Sequence, residues 1–290
     1  MTARRPLIKW VGGKAASAGL IWQTIHDANT YVRAGAYTWV EPFLGAGGMF
    51  LGRPDTVPEP QSSVLRDANG RLSNMHLMVK YDPDGVSDAL AALPQGRTDV
   101  ETYKAHVALF NASYEGNVTN AALLIWLNRH CFNGIYRENG SGAFNVPIGK
   151  GTVRLPTPAE IREVSLCLQK TSILPGSVHR ELPEHLEHFS NVSYLDPPYL
   201  PQRLTKSYTG YTAFPFGLDA HRQMVATVAA SKQADVWASG SASDLTREIY
   251  LDSGVFEHVL DIPVRRSVGA RADTRVVTCE WLMRRKGVLC

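Results

Sequence analysis

The tetrapeptide Asp196-Pro197-Pro198-Tyr199 sets a carboxylate, two residues lacking a backbone donor and an aromatic ring in a row. Prolines have no N–H to give a sheet, so the pair forces a rigid extended bend where a strand ends. The apolar run 192–195 reads as that strand. In an open α/β sheet, ligands bind at the carboxyl ends of the strands. There the Asp196 carboxylate and the Pro197 carbonyl are acceptors, and the Tyr199 ring is a stacking surface. Two acceptors beside one ring suit the exocyclic amino group of a flat base, each acceptor taking one N–H. Drawing both hydrogens away favours a pyramidal nitrogen, whose lone pair can attack an electrophile. The plain alternative is a Pro-rich turn after a strand with no chemistry at all.

A second segment weighs against that alternative. Residues 37–43 form a β-branched and aromatic strand candidate that runs through Glu41-Pro42-Phe43 into Leu44-Gly45-Ala46-Gly47-Gly48. Glycines in such a turn let a ligand approach the backbone, and a following helix offers unpaired N–H groups. The dinucleotide fingerprint is incomplete, because Phe50 stands where Gly or Ala is required. Asp67 closes the next strand, twenty residues past Gly47, where an acid accepts ribose hydroxyls. The pair fits an adenosine-containing cofactor, and a tight structural turn beside a solvated acid remains the other reading. Gly12-Gly13-Lys14 is not a phosphate loop: position eight is Ile8 rather than Gly, and Ala15 replaces the Ser or Thr. It reads as a sharp turn presenting Trp10 and Lys14.

These residues need a scaffold. Strand candidates at 37–43, 63–66, 172–174, 192–195, 235–239, 256–264 and 276–283 alternate with helical patterns at 15–27 and 69–80. That alternation predicts a mostly parallel α/β sheet. Residues 84–127 look helical throughout, 128–150 read as loops with a hairpin, and 53–62 read as a surface loop. The division predicted is a catalytic domain from 1–74 and 158–290, with an insert over 75–157. Among 290 residues, 44% are hydrophobic and 20% charged, which excludes a disordered or fibrous chain. No apolar run reaches a membrane span, and 1–10 lacks the apolar core of a secretory signal. The four cysteines form no CxxC pair, so neither a disulfide framework nor a cysteine zinc site is expected. His185 and His188 lack a third ligand, and no metal is expected. The net charge of +3 hides an asymmetry: 1–33 and 261–290 each carry +4, and the middle carries −5. Positive ends brought together by the fold make a face for a polyanion.

Taken together, the motifs resemble those of the Dam-type DNA adenine-N6 methyltransferases, the alpha-ordered D12 family. Leu7-Ile8-Lys9-Trp10-Val11-Gly12-Gly13-Lys14 looks like that family's N-terminal motif, and 40–47 like its S-adenosylmethionine loop. Residues 127–137 with 142–149 look like its recognition hairpin, 196–199 like its catalytic motif, and 262–267 like its late basic loop. The resemblance implies a Rossmann-like methyltransferase core with a helical DNA-recognition insert. It implies S-adenosylmethionine as cofactor, duplex DNA as substrate with the adenine flipped out, and GATC as target. It places Asp196, Pro197, Pro198 and Tyr199 at catalysis, and Trp10, Lys14, Glu41, Phe43, Gly45, Gly47, Asp67 and Asp196 at the cofactor. It places Lys9, Asn133, Ile135, Arg137 and Pro147 at the bases. The sequence departs from the family in its longer 53–62 loop, in Phe132 and Ile135, and in 268–271.

The residues of the insert agree. Arg137 can fork onto guanine O6 and N7, and Asn133, with Asn128 beside it, can bond a base edge. Arg129, Lys150, Arg154, Arg265 and Arg266 suit phosphates, with Arg271 and Arg275 extending the late cluster. Tyr208 and Tyr211 either clamp the flipped base or pack their own loop. A monomer in the cytoplasm of a bacterium or phage-infected host is expected. Two rivals stay open: a methyltransferase of RNA or of a protein amide, and a DNA-binding relative without turnover.

Overall fold

Short runs of β-branched and aromatic residues pair into one seven-stranded sheet. The computed structural model describes residues 4–113, 116–176, 182, 186, 188, 190–200, 216–231, 234–265 and 277–287. The strands are β1 (Thr38–Glu41), β2 (Ser62–Asp67), β3 (Thr171–Pro175), β4 (Asn191–Leu195), β5 (Asp235–Ser241), β6 (Phe256–Arg265) and β7 (Val277–Arg285). Their order is β3-β2-β1-β4-β5-β7-β6. The first five are parallel, and β7 runs antiparallel to both β5 and β6. The chain steps outward from β1 to β3 and then returns to lay β4 against the other side of β1. That reversal opens a crevice past the carboxyl ends of β1 and β4, where open α/β sheets bind ligands. The predicted parallel sheet is thus present, closed at one edge by an antiparallel pair.

Helices cover the sheet: α1 (Ala18–Ala28), α2 (Thr30–Ala34), α3 (Gly48–Leu51), α4 (Gly70–Tyr81), α5 (Pro83–Ala91), α6 (Val100–Ala112), α7 (Val118–His130), α8 (Pro158–Leu168) and α9 (Leu218–Ala230). Capping explains several starts. The Asn69 side chain accepts the Arg71 and Leu72 amides at the head of α4, and Thr157 with Glu160 forms a reciprocal box at α8. The stretch 84–127 is three helices rather than one. Pro94 and Gly96 interrupt the first break, and the Asn117 side chain starts α7 by accepting the Asn120 amide.

The expected cut after residue 74 falls inside α4, whereas the one after 157 coincides with the start of α8. Insert residues Val86, Leu90, Phe110 and Leu124 share one buried cluster with Ile21, Trp22 and Trp39 of the sheet side. α7 accounts for this, because every residue from 120 to 128 is buried. A helix apolar on all faces has no 3.6-residue stripe to betray its ends. The 53–62 loop also reaches inward: Val57 is fully buried, and Tyr37 Oη donates to the Pro58 carbonyl at 2.9 Å.

Candidate active site

The Gly-rich turn after β1 is built around two left-handed residues, Gly45 (φ +52°) and Gly47 (φ +76°). A Cβ on Gly45 would come within 2.9 Å of Trp10 Cδ1, so only glycine lets the N-terminal motif lie on this turn. Asp67, at the end of β2, grips the same turn. Its Oδ2 accepts the Gly45 amide at 2.7 Å and its Oδ1 the Asn69 amide at 2.8 Å. Burial outweighs those two bonds and pushes the Asp67 carboxyl up to about 6. Each oxygen keeps a lone pair, and the side chain is only partly covered. Such a carboxylate is short of donors, and a pair of ribose hydroxyls would supply them. Phe43 packs edge-on against Phe216, ring centroids 5.3 Å apart, at the far side of the turn.

Glu41 lies deeper than a ligand contact requires. It is 2% exposed, and its Oε2 accepts Trp39 Nε1 at 3.0 Å. Burial, with Asp196 and Asp67 adding to it, pushes its carboxyl up to about 8, so it is largely a neutral acid at pH 7.

The Asp196–Tyr199 bend follows β4. Asp196 Oδ1 accepts Lys14 Nζ at 2.8 Å and Ser239 Oγ at 2.6 Å. Ser239 in turn accepts Tyr194 Oη at 3.0 Å. Among the described residues no partner engages Asp196 Oδ2 or the Pro197 carbonyl. Lys14 is 4% exposed; its Nζ also donates to the Gly12 carbonyl at 2.7 Å and stands 4.8 Å from the Tyr199 ring centre. Tyr199 Oη donates to Glu280 Oε2 at 2.8 Å, and Glu280 lies 3.7 Å from Lys14 Nζ. Residues 14, 196, 199, 239 and 280 therefore meet in one cluster, with the Lys14 ammonium between two carboxylates.

Ser239 and Glu280 were missed from the sequence. Glu280 carried a signal, as a lone carboxylate in the otherwise apolar and basic run 276–285. Ser239 carried none, because its value depends on β5 lying beside β4.

The base-reading candidates gather on one side of the N-terminal motif. Asn133 (φ +55°) and Gly134 (φ +67°) make a left-handed pair just past α7. A Cβ on Gly134 would sit 2.6 Å from Lys9 Cδ, so this turn and Lys9 are packed together. Asn133, Arg137, Pro147, Lys9 and Lys150 are exposed, and Ile135 is half-buried. Arg137 Nε already donates to Asn145 Oδ1 at 2.8 Å, which aims its fork along the hairpin.

Two expected DNA contacts are engaged elsewhere. Asn128 is 1% exposed; its Oδ1 accepts the Lys9 amide at 2.8 Å, and its Nδ2 donates to the carbonyls of Lys9 and Gly134, each at 2.9 Å. Both amide hydrogens are used, so Asn128 is a strut between the N-terminal motif and the reading turn, not a base contact. Arg129 donates through Nε and Nη2 to the Leu7 carbonyl and is likewise a tie. The sequence put both in the loop, whereas α7 continues through them to His130. Arg265 ends β6. Arg266, the 268–271 segment, Arg271, Arg275, Tyr208, Tyr211 and His185 lie outside the described residues. Among the described residues there is no cluster of three metal-ligating side chains, and no helix is long and apolar enough to cross a membrane.

A crevice at the switch point, a Gly-rich turn gripped by an acid, and a fixed carboxylate beside a tyrosine are now in place. The family model described as D12 class N6 adenine-specific DNA methyltransferase matches residues 10–268. The chain belongs to that family. The D12-class chain is 30% identical over 285 residues to the DNA adenine methylase of Escherichia coli, covering 97% of this chain and 95% of that protein. It is 28% identical over 283 residues to the DNA adenine methylase of Haemophilus influenzae, covering 96% and 92%. It is 29% identical over 288 residues to the DNA N-6-adenine-methyltransferase of an Escherichia phage, of which it spans 35%. For this D12-class chain, the resemblance carried by the motifs is the family it belongs to.

Proposed function

We propose that this D12-class enzyme transfers the methyl group of S-adenosylmethionine to the exocyclic nitrogen of an adenine flipped out of duplex DNA, at GATC. The observation that carries the reading is the state of Asp196: Oδ1 is pinned by Lys14 and Ser239, while no donor among the described residues takes Oδ2 or the Pro197 carbonyl. Those are the two acceptors that an amino group needs. The cofactor side fits as well, in the close approach of Trp10 to Gly45 and in an Asp67 carboxylate raised by burial and short of donors.

The bound cofactor supplies a sulfonium methyl that is already activated. The protein supplies position. Flipping costs a few kcal/mol of pairing and stacking. Asp196 Oδ2 and the Pro197 carbonyl each take one N–H, and the Tyr199 ring, anchored through Glu280, covers the base. The nitrogen lone pair is left unengaged for attack, and a methyl donor held in line with it at the Gly-rich turn would draw most of the acceleration from position. The new N–C bond replaces the C–S bond, and the nitrogen sheds one of its protons past Asp196 to solvent.

Residues 75–157 act in this reading as the target-recognition segment, carrying Asn133, Ile135, Arg137 and Pro147, with Lys9 beside them. GATC rests on those five falling at the family's base-reading positions, with Ile135 a change of residue type there. The test is transfer from labelled S-adenosylmethionine to duplexes with one GATC or a scrambled site, joined to genome-wide mapping of methyladenine in cells expressing the enzyme. Label on adenine within GATC is expected. Methyladenine in another motif would overturn the target, and no transfer to any duplex would overturn the reaction.

A further inference from the structure

His221 lies on the first turn of α9, is 2% exposed, and has both ring nitrogens engaged. Its Nε2 is 3.0 Å from the Pro198 carbonyl, and its Nδ1 is 2.6 Å from Tyr250 Oη. A carbonyl only accepts, so Nε2 carries the hydrogen and donates it. The Tyr250 hydroxyl then donates to Nδ1, which fixes the ring's tautomer and direction. Tyr250 is 1% exposed, and burial pushes its phenol well above the usual range, so the hydroxyl keeps its proton.

The bend needs such a tie. Pro197 and Pro198 have no N–H, so the backbone of this segment cannot be fixed by its own donors. It is fixed through acceptors and side chains. Asp196 is held by Ser239 and Lys14, Tyr199 by Glu280, and the Leu200 carbonyl by Ser241 Oγ at 3.2 Å. The Pro198 carbonyl is held by His221 from the α9 side. Successive carbonyls of an extended Pro-Pro segment point to different sides. With the Pro198 carbonyl held toward α9, the Pro197 carbonyl is left to point elsewhere.

We propose that His221, braced by Tyr250, is a positioning residue for methyl transfer: it holds the Pro198 carbonyl so that the Pro197 carbonyl meets the target amino group. The inference rests on the amino-group reading of the bend given above. Its effect is expected in the chemical step, because its two hydrogen bonds go to the bend and to Tyr250, while it meets the cofactor turn through ring packing, with Phe216 4.7 Å from His221 and 5.3 Å from Phe43.

The experiment uses the whole enzyme with saturating duplex and cofactor, comparing His221→Phe, His221→Gln and Tyr250→Phe. Single-turnover methylation reads the chemical step. Fluorescence of 2-aminopurine at the target position reads flipping, since that base lacks the amino group the bend must hold. His221→Phe should slow the chemical step about a hundredfold, the cost of roughly an ångström of misplacement, with flipping and both dissociation constants unchanged. His221→Gln, whose amide can donate where Nε2 did, should recover most of the rate. Tyr250→Phe should fall between wild type and His221→Phe, and it keeps the test standing if His221→Phe does not fold. A wild-type rate in Tyr250→Phe and His221→Phe would overturn the proposal. So would Gln and Phe variants that lose rate, flipping and cofactor affinity alike, since that marks a packing role. A wild-type enzyme that does not methylate DNA would instead sink the amino-group reading itself.

Discussion

The Asp196–Tyr199 bend and the Asn133–Gly134 turn, to which the proposed function gives catalysis and base reading, are held in opposite ways. At the bend, the functional side chains themselves are tied: Asp196 to Lys14 and Ser239, Tyr199 to Glu280. At the reading turn, the backbone is tied, through Asn128 to Lys9 and Gly134, while Asn133 and Arg137 stay exposed. The first arrangement suits a step whose rate depends on fractions of an ångström, because the reacting groups are set before substrate arrives. The second suits side chains that must adjust to base edges, on a scaffold that fixes only their origin. Substitutions at the bend should then act on rate, and those at the turn on choice of site.

The comparison breaks first, if it breaks, at Asp196. Asp196→Ala removes an acceptor and leaves buried Lys14 facing Glu280 alone. Single-turnover methylation should drop about a thousandfold or more, with DNA affinity little changed because phosphate contacts dominate it. A rate within about tenfold of wild type would show that the tied carboxylate is not what the chemistry uses.

Asp67 comes next, on the cofactor side. Losing its charge-assisted bonds should cost about 10–100-fold in cofactor affinity for Asp67→Ala at pH 8, measured by calorimetry. Its carboxyl sits at about 6 in the free protein. A ligand that donates to the carboxylate lowers that value, so affinity is full above about 6 and falls as pH drops through it. The gap between wild type and Asp67→Ala should therefore close toward pH 5. A gap that stays constant with pH would mean that Asp67 meets the ligand uncharged or not at all.

Asn128 and Arg137 sharpen the contrast within the turn. Asn128→Ala leaves the buried Gly134 carbonyl and the partly buried backbone of Lys9 without their partner, at about 1–3 kcal/mol, so it should lower Tm and loosen reading together. Arg137→Ala should leave Tm unchanged and cost about 1–3 kcal/mol of discrimination at one base pair, scored on duplexes altered at that pair. Equal relaxation at every position would mean that Arg137 supports the hairpin through Asn145 instead of reading a base.

The strands, the Gly-rich turn and Asp196 to Tyr199 were legible because their signals are local: β-branched runs, turn glycines, a Pro-Pro stop. The end of α7 was not. With residues 120–128 all buried, the helix shows no polar face, and Asn128 and Arg129 read as loop polar residues when one is a tie inside the core and the other a half-buried tie at its edge. Glu41 was hidden for a related reason: an acid beside a Gly-rich turn looks like a ligand contact until the sheet shows it beneath Trp39. Ser239 became visible only with the strand order, since the return of the chain to β1 is what brings β5 alongside β4. Local chemistry is written in order along the chain, whereas the partners that hold it come from wherever the sheet puts them.

The smallest effect belongs to Lys150, exposed at the end of the recognition hairpin and without an ion pair among the described residues. Arg129, expected beside it as a phosphate contact, spends its Nε on the Leu7 carbonyl at 2.9 Å, so Lys150 is the freer of the two charges. A lysine that neutralises one phosphate releases about one counterion, and losing it flattens the slope of log affinity against log salt by about 1. Lys150→Ala should therefore weaken cognate and scrambled duplexes alike, more at low salt than at high, and leave single-turnover methylation at saturating DNA unchanged. Arg129→Ala should show the reverse pattern, a lower Tm with an unchanged salt slope, because its loss unties the N-terminal motif. Binding isotherms at four salt concentrations separate the two. A flattened slope in Arg129→Ala and none in Lys150→Ala would move the phosphate contact back onto α7, and the division between tied backbone and exposed side chains would have to be redrawn at that point.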